Sequence, residues 1–293
     1  MPVVFVHSFA GSVAHWKAQL AHLRKTRRAL ALDLRSHGLS SPARDNDYAV
    51  GALADDIAAV VDELKLERFV LVGHRMGGSA SLAYAGAHPA RVAGLVLVGT
   101  PGKIPDEQVK QVMASLKSDY ENVMAAYWNK LLTNAQPQVL AQIQSERERL
   151  PQAVSLGIIK ALFDYDPAPA LQLYHGPKLA VITPDNDVPQ ALHRLVTELQ
   201  RAERKRCNEP PADALGWIGI VVSGDPDPVA AALQAAQRRP VGVGEPGRAA
   251  SVMEAVAERH QHAGRIARDQ IGETIERRDR VVRRQQHAAG GQA

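Results

Sequence analysis

One segment of the chain has both the residue types and the spacing for chemistry: Phe69-Val70-Leu71-Val72-Gly73-His74-Arg75-Met76-Gly77-Gly78-Ser79. An apolar, β-branched run that passes at once into a helix puts the central residue at the tip of a sharp turn. Gly73 and Gly77, two residues to either side, permit close backbone approach there. Such a turn suits a nucleophile, which it lifts off the strand end beside the free N–H groups of a helix's first turn. The central residue here is Arg75. A guanidinium stays protonated above pH 12 and has no lone pair to offer, so it cannot attack a carbonyl carbon. Ser79 is no substitute, because it is expected one helical turn into the following helix, pointing away from the strand end.

Positioning such a turn takes a parallel sheet, and the surrounding pattern predicts one. Val3–Val6 is a short apolar strand that delivers the loop His7-Ser8-Phe9-Ala10-Gly11-Ser12. A helix over about Trp16–Leu23 and a second strand over Ala29–Leu34 follow. Tyr48–Leu64 repeats apolar residues at helical spacing (Val50, Leu53, Ile57, Val60, Val61, Leu64). Phe69–Val72 is the third strand, Ser79–Ala87 the third helix and Val92–Val98 the fourth strand. Short strand–helix periods imply right-handed crossovers and a doubly wound parallel sheet. Residues 105–173 read as helix only, a cap inserted over the sheet. Leu179–Ile182 returns as a strand, and Trp217–Val222 is a candidate for one more. The expected organisation is a core of residues 1–104 and 174–200, a helical cap of 105–173 and a tail of 201–293.

Together the first strand and its loop, the turn Asp33-Leu34-Arg35-Ser36-His37-Gly38-Leu39-Ser40, the glycine-flanked turn at Arg75 and the run His88-Pro89-Ala90-Arg91-Val92 to Pro101 resemble the α/β-hydrolase superfamily. The likeness is to its small cofactor-free serine esterase, haloperoxidase-like and C–C hydrolase branch, over about residues 2–198. It begins at the strand that normally follows an opening β-hairpin, so that hairpin is not expected. The resemblance implies an α/β-hydrolase fold and a Ser-His-Asp triad in which two backbone N–H groups stabilise an oxyanion. By position, the donors would be the amides of Phe9 and Met76, with Ser8 standing where the family usually has Gly. The acid would be Asp187, or alternatively Asp185. Arg75 stands where the nucleophilic Ser belongs. The family's Gly-His pair has no counterpart: its window holds Lys205-Arg206-Cys207-Asn208-Glu209-Pro210-Pro211. His193, His260 and His262 read as surface histidines, and the catalytic His is unplaced. His7 and His74 flank the site as shapers of the loop and turn.

Composition divides the chain near residue 200. Every Phe and Tyr precedes residue 175, whereas residues 201–293 hold one aromatic, Trp217, with 14 Arg and one Lys. Such a tail fits translation of GC-rich DNA out of frame, disorder, or an appended domain. If the last strand and helix of the core are lost there, Leu179–Ile182 is left as an unpaired edge. The tail interleaves Glu and Asp with its Arg and has no aromatic platform, which argues against nucleic acid as a partner. A single cysteine, Cys207, excludes an intrachain disulfide and a multi-Cys metal site. With no signal-peptide pattern and no membrane-length apolar run, the expected location is cytoplasmic and no membrane partner is expected.

The expectation is therefore an esterase-type hydrolase of a small apolar ester or acyl compound, without metal or organic cofactor. Its triad is defective in this chain, making it a pseudoenzyme. The alternative is a non-catalytic small-molecule binding protein whose Arg75 clamps a carboxylate or phosphate.

Overall fold

The computed structural model describes residues 1–133, 135–182 and 192, and the backbone of 217–222. Six strands form one all-parallel sheet: β1 (Val3–Val6), β2 (Ala29–Leu32), β3 (Phe69–His74), β4 (Val92–Val98), β5 (Lys178–Ile182) and β6 (Trp217–Val222), in the order β2-β1-β3-β4-β5-β6. The order reverses at β1, so the chain winds outward from the middle in both directions. A ligand crevice belongs at the carboxyl ends of the strands in such a sheet.

Side-chain alternation sorts the strands' residues onto two faces. Val3, Phe5, Val70, Val72 and Val96 face one side, where Trp16, Leu20 and Leu23 cover them from the turn Val13–Trp16 and helix α1 (Lys17–Leu23). Val4, Val6, Leu71, Leu95 and Leu97 face the other side, under α2 (Val50–Glu63) and α3 (Met76–Ala87). In α2, Val50, Leu53, Ile57 and Val61 form the buried stripe that the periodicity predicts. By contrast α3 is buried on most of its surface, and its small residues Gly77, Gly78, Ala80 and Ala85 let it lie close on the sheet.

Several boundaries differ from the sequence reading, each for a local reason. The first helical turn starts at Val13, because the Ser12 hydroxyl caps it by accepting from Ala14 N–H at 3.1 Å. Strand β2 stops at Leu32, and two residues on the Leu34 N–H donates to the His7 ring. Helix α3 begins at Met76 rather than Ser79. Gly77 and Gly78 are poor helix formers, but the approach of Gly77 to the end of β1 fixes their conformation.

The cap region carries five helices: α4 (Asp106–Ser118), α5 (Tyr120–Leu131), α6 (Pro137–Glu148), α7 (Gln152–Asp164) and α8 (Ala168–Leu173). The chain then re-enters the sheet at β5. The expectation that this strand is an unpaired edge is corrected: β6 pairs with it in parallel, from Lys178↔Trp217 to Ile182↔Val222. Six consecutive residues from the aromatic-poor segment, Trp217-Ile218-Gly219-Ile220-Val221-Val222, are rich enough in β-branched side chains to form that strand.

Candidate functional site

The site lies where β1, β3 and β4 end. Arg75 takes φ 48° and ψ −110°, the strained conformation expected at the tip of a strand-to-helix turn. Two hydrogen bonds hold it: its N–H donates to Val98 C=O at 2.9 Å, and its C=O accepts from Ser79 N–H at 3.0 Å. The flanking glycines are required by close approach. A Cβ at Gly73 would lie under 3.0 Å from Gly77 O and Gly78 Cα, and one at Gly77 under 3.0 Å from the carbonyl oxygens of Val6 and His7. A Cβ at Gly78 would run into Thr100 Oγ1, a buried hydroxyl with no hydrogen-bond partner among the described residues.

The loop after β1 is built by histidines. His7 is fully buried; its Nε2 accepts from Leu34 N–H at 3.0 Å, which leaves Nδ1 to donate to Ser8 C=O at 2.7 Å. Burial, with nearby His37 adding to it, pushes the His7 pKa down to about 3, so the ring is neutral. His37 does the same work one loop over, with Nε2 accepting from Ala10 N–H at 3.2 Å and Nδ1 donating to Arg35 C=O at 2.9 Å. Burial lowers its pKa also. Both rings tie the loop after β1 to the loop after β2. His74, at the end of β3, is held neutral by burial and then by the Arg75 guanidinium, with its pKa near 3.

Asp33 completes this scaffold. Its carboxylate accepts from Val13 N–H at 2.7 Å and Leu39 N–H at 3.0 Å, which fixes both loops, and Arg35 clamps Asp56 with Nε and Nη2 at 2.8–3.1 Å. Ala10, at φ 51°, turns the chain so that Gly11 N–H donates to Ser8 C=O at 3.1 Å. The Phe9 N–H has no backbone acceptor among the described residues. Met76 opens α3, so its N–H belongs to a first turn that lacks intrahelical acceptors.

Above these amides lies a cavity of about 440 Å³. Ser8, Phe9, Arg75 and Met76 line its floor, and its walls come from α4, α5 and α7 through side chains such as Leu116, Met124 and Ile159. Among the described residues the only charged one on the lining is Arg75; Ser8, Thr100, Gln108 and Tyr127 are the polar ones. Such a volume holds roughly 10–15 non-hydrogen atoms, taking about 30 Å³ for each water-sized group. The structure thus brings together Phe9, Gly73, Arg75, Met76 and Gly77 from the sequence reading. Asp185 and Asp187, like His193, His260 and His262, lie outside the described residues.

Sequence reasoning missed the groups that join cap to core. Trp128 of α5 stacks on Phe9 with centroids 6.3 Å apart and 16° between planes, and the Arg147 guanidinium lies 4.9 Å from the Trp128 ring centre. Glu146 of α6 accepts from the Ser12 hydroxyl at 2.6 Å and meets His15 Nε2 at 2.6 Å. A glutamate in a charged helical run carries no signal for such a role. An aromatic pair on a helix with an apolar stripe does signal burial, though not its partner.

Residues 1–145 match the family model for the α/β hydrolase fold. In sequence, 2-hydroxymuconate semialdehyde hydrolase of Pseudomonas sp. (strain CF600) is 36% identical over 104 residues, 34% of this chain and 37% of that protein. The dihydrolipoyllysine-residue acetyltransferase component of the acetoin cleaving system of Pseudomonas putida is 39% identical over 101 residues, 34% of this chain and 27% of that protein. The matched segment therefore spans well under half the length of either relative. In structure, the enol-lactonase of Burkholderia xenovorans LB400 matches with a TM-score of 0.61 at 21% identity, covering 76% of this chain and 82% of the other. A thermophilic esterase from Thermogutta terrifontis matches with 0.58 at 22%, covering 76% and 80%. At these identities the structural likeness is one of fold. No helix among the described residues is long and apolar enough to cross a membrane.

Proposed function

Because the chain carries an α/β-hydrolase domain, we propose that its pocket is that of an esterase-type hydrolase for a small, largely apolar ester or acyl compound, and that Arg75 disables the covalent step in this chain. The observation that carries the proposal is the strained backbone at Arg75, on the floor of an apolar cavity between two glycines that admit no side chain. The amides of Phe9 and Met76 are the donors for a developing oxyanion, and backbone donors survive a change of side chain. Asp187, with Asp185 as alternative, is the acid in the segment after β5. The guanidinium at residue 75 can neither attack nor hand a proton to a base, so no acyl-enzyme forms.

The experiment is hydrolysis of short p-nitrophenyl esters by the purified chain. Turnover stays orders of magnitude below the ordinary value of about 10 s⁻¹; turnover near that value overturns the proposal. Arg75→Ser alone restores little, since a serine without its base is a weak nucleophile and triad members act as a unit.

A second reading is favoured by one observation, that Arg75 is the only charge among the described residues on the lining of a largely apolar cavity. On this reading the pocket binds a small apolar carboxylate or phosphate and converts nothing. A guanidinium has five N–H donors, so it can hold such a ligand while also engaged elsewhere in the protein. Calorimetric titration with butyrate or hexanoate against the matching alcohols separates the readings. Preference for the carboxylates by tenfold or more supports the binding protein, and equal weak affinity removes it.

A further inference from the structure

Two contacts cross from the cap to the same five-residue loop of the core. Glu146, near the end of α6, accepts the Ser12 hydroxyl proton at one carboxylate oxygen, and its other oxygen lies 2.6 Å from His15 Nε2. Ser12 ends the loop Ser8–Ser12, and its hydroxyl oxygen also caps the helical turn that follows. The His15 ring lies flush on Gly11, where a Cβ would come within 2.5 Å of Cε1 and 2.7 Å of Nδ1. One carboxylate therefore grips the loop at its last residue and, through the ring, at its turn. Gln142, one helical turn back on α6, donates to the same carboxylate at 3.3 Å and steadies it.

The second contact is aromatic. Phe9 lies in that loop, and Trp128 of α5 covers it, with Arg147 of α6 packed against the Trp128 ring. Arg147 adjoins Glu146 in sequence, so α6 presents the two anchors side by side. No residue of α6 is itself buried. Its apolar contact is limited to the partly buried Ile143, so these polar and stacking contacts carry much of its attachment and losing one frees it locally.

We infer that Glu146 is a positioning residue that locks the cap to the loop carrying the Phe9 amide, so that the donor loop takes its working shape only while the cap is docked. It acts through Ser12 and His15 and touches neither ligand nor reacting atoms. The cap thereby closes the apolar cavity and orders one of its polar donors in the same movement. The inference rests on the proposal that the Phe9 amide faces the reacting end of the pocket. What it states about the loop can nonetheless be read without any turnover.

The test is amide hydrogen exchange on the full chain with Glu146→Ala and Glu146→Gln, followed at Ala10–Val13 and, for reference, at Leu53 and Ile57 in α2. In Glu146→Ala, exchange at Ala10–Val13 rises tenfold or more while Leu53 and Ile57 keep their rates. Glu146→Gln restores most of the protection, since its amide oxygen still accepts from Ser12 and its N–H₂ can hydrogen-bond the His15 ring. Binding of 1-anilinonaphthalene-8-sulfonate to the cavity becomes at least fivefold faster in both directions in the Ala variant. The inference is overturned if the loop amides keep wild-type rates in Glu146→Ala. It is equally overturned if loop and α2 amides accelerate together, which marks a general loss of stability, or if Glu146→Gln behaves as Glu146→Ala. Failure of the hydrolase proposal would show instead in ester turnover and leaves these exchange rates where they are.

Discussion

The sheet core and the helical cap are built on different physical terms. In the core, β1 and β3 are covered on both faces, α3 lies on the sheet through glycine and alanine, and polar groups at the strand ends are satisfied by buried neutral histidines. In the cap, α4 buries only Leu116 and α6 buries nothing; Tyr127, Leu131, Val139 and Leu140 remain substantially exposed. The cap still joins the core's apolar cluster through Leu116, Met124, Trp128, Ile158 and Leu171, with a few polar anchors beside them. The comparison teaches where burial is placed: the turn at Arg75 and the Met76 amide sit in the fully covered core, whereas the Phe9 loop and the walls of the cavity share their contacts with the more exposed cap.

The largest effect expected from breaking this contrast is in the core. Gly77→Ala puts a methyl group against the carbonyl oxygens of Val6 and His7, which are backbone and cannot turn aside. It should cost about 3 kcal/mol of global stability in urea unfolding and loosen cap and sheet together. Trp128→Ala removes the ring that both Phe9 and Arg147 meet, at about 3 kcal/mol. There the loss should be confined: limited proteolysis cuts within residues 105–173 while the sheet stays protected.

Acid should act on the core next. His7 binds a proton at about pH 6.5 when unfolded but only near pH 3 when folded. The unfolded state therefore holds more protons between those values. Stability is present in full above pH 6.5 and lost as pH falls from there toward 3, by about 2 kcal/mol at pH 5 for His7 alone. His74 and His37 shift in the same direction. Denaturation curves taken from pH 7.5 to 5 check the slope, which His7→Asn should flatten.

The smallest effect is at Lys178, buried at the start of β5, where its Nζ donates to the carbonyls of Tyr174 at 2.6 Å and Gly176 at 3.0 Å. Burial lowers its pKa to about 8. The unfolded chain thus holds the proton between pH 8 and 10.5 while the folded chain gives it up, and stability rises with pH across that window. Lys178→Met should change stability at pH 7 by no more than about 1 kcal/mol, because two carbonyls and the Tyr174 ring lose a partner while a buried cation with no carboxylate partner among the described residues disappears. The rise above pH 8 should vanish with it.

The two regions also differ in how far their sequences announce them. Strands such as Val3–Val6 and Val92–Val98 are short apolar runs between turn residues, and α2 shows its stripe at helical spacing, so period and burial coincide. The glycines around Arg75 were legible because close approach leaves few residue types possible. What could not be read was long-range and polar. Glu146 reaches Ser12 across 134 positions, and nothing in either residue's neighbourhood specifies the other. The pairing of β5 with β6 across an aromatic-poor segment was obscured for a related reason: composition over ninety residues says little about six that are rich in Val and Ile. His7 was legible as a loop shaper only in part and His37 not at all, since their hydrogen bonds join two loops that sequence keeps apart.

The central claim is that the turn at Arg75 has the backbone of a nucleophile's seat and no nucleophile. It is tested most directly by treating the full chain with a fluorophosphonate probe and mapping any adduct by intact mass and peptide analysis. The account predicts an unmodified chain under conditions that label an active serine esterase to completion. A stoichiometric adduct at Ser8, or at any other serine reaching the cavity, would contradict it.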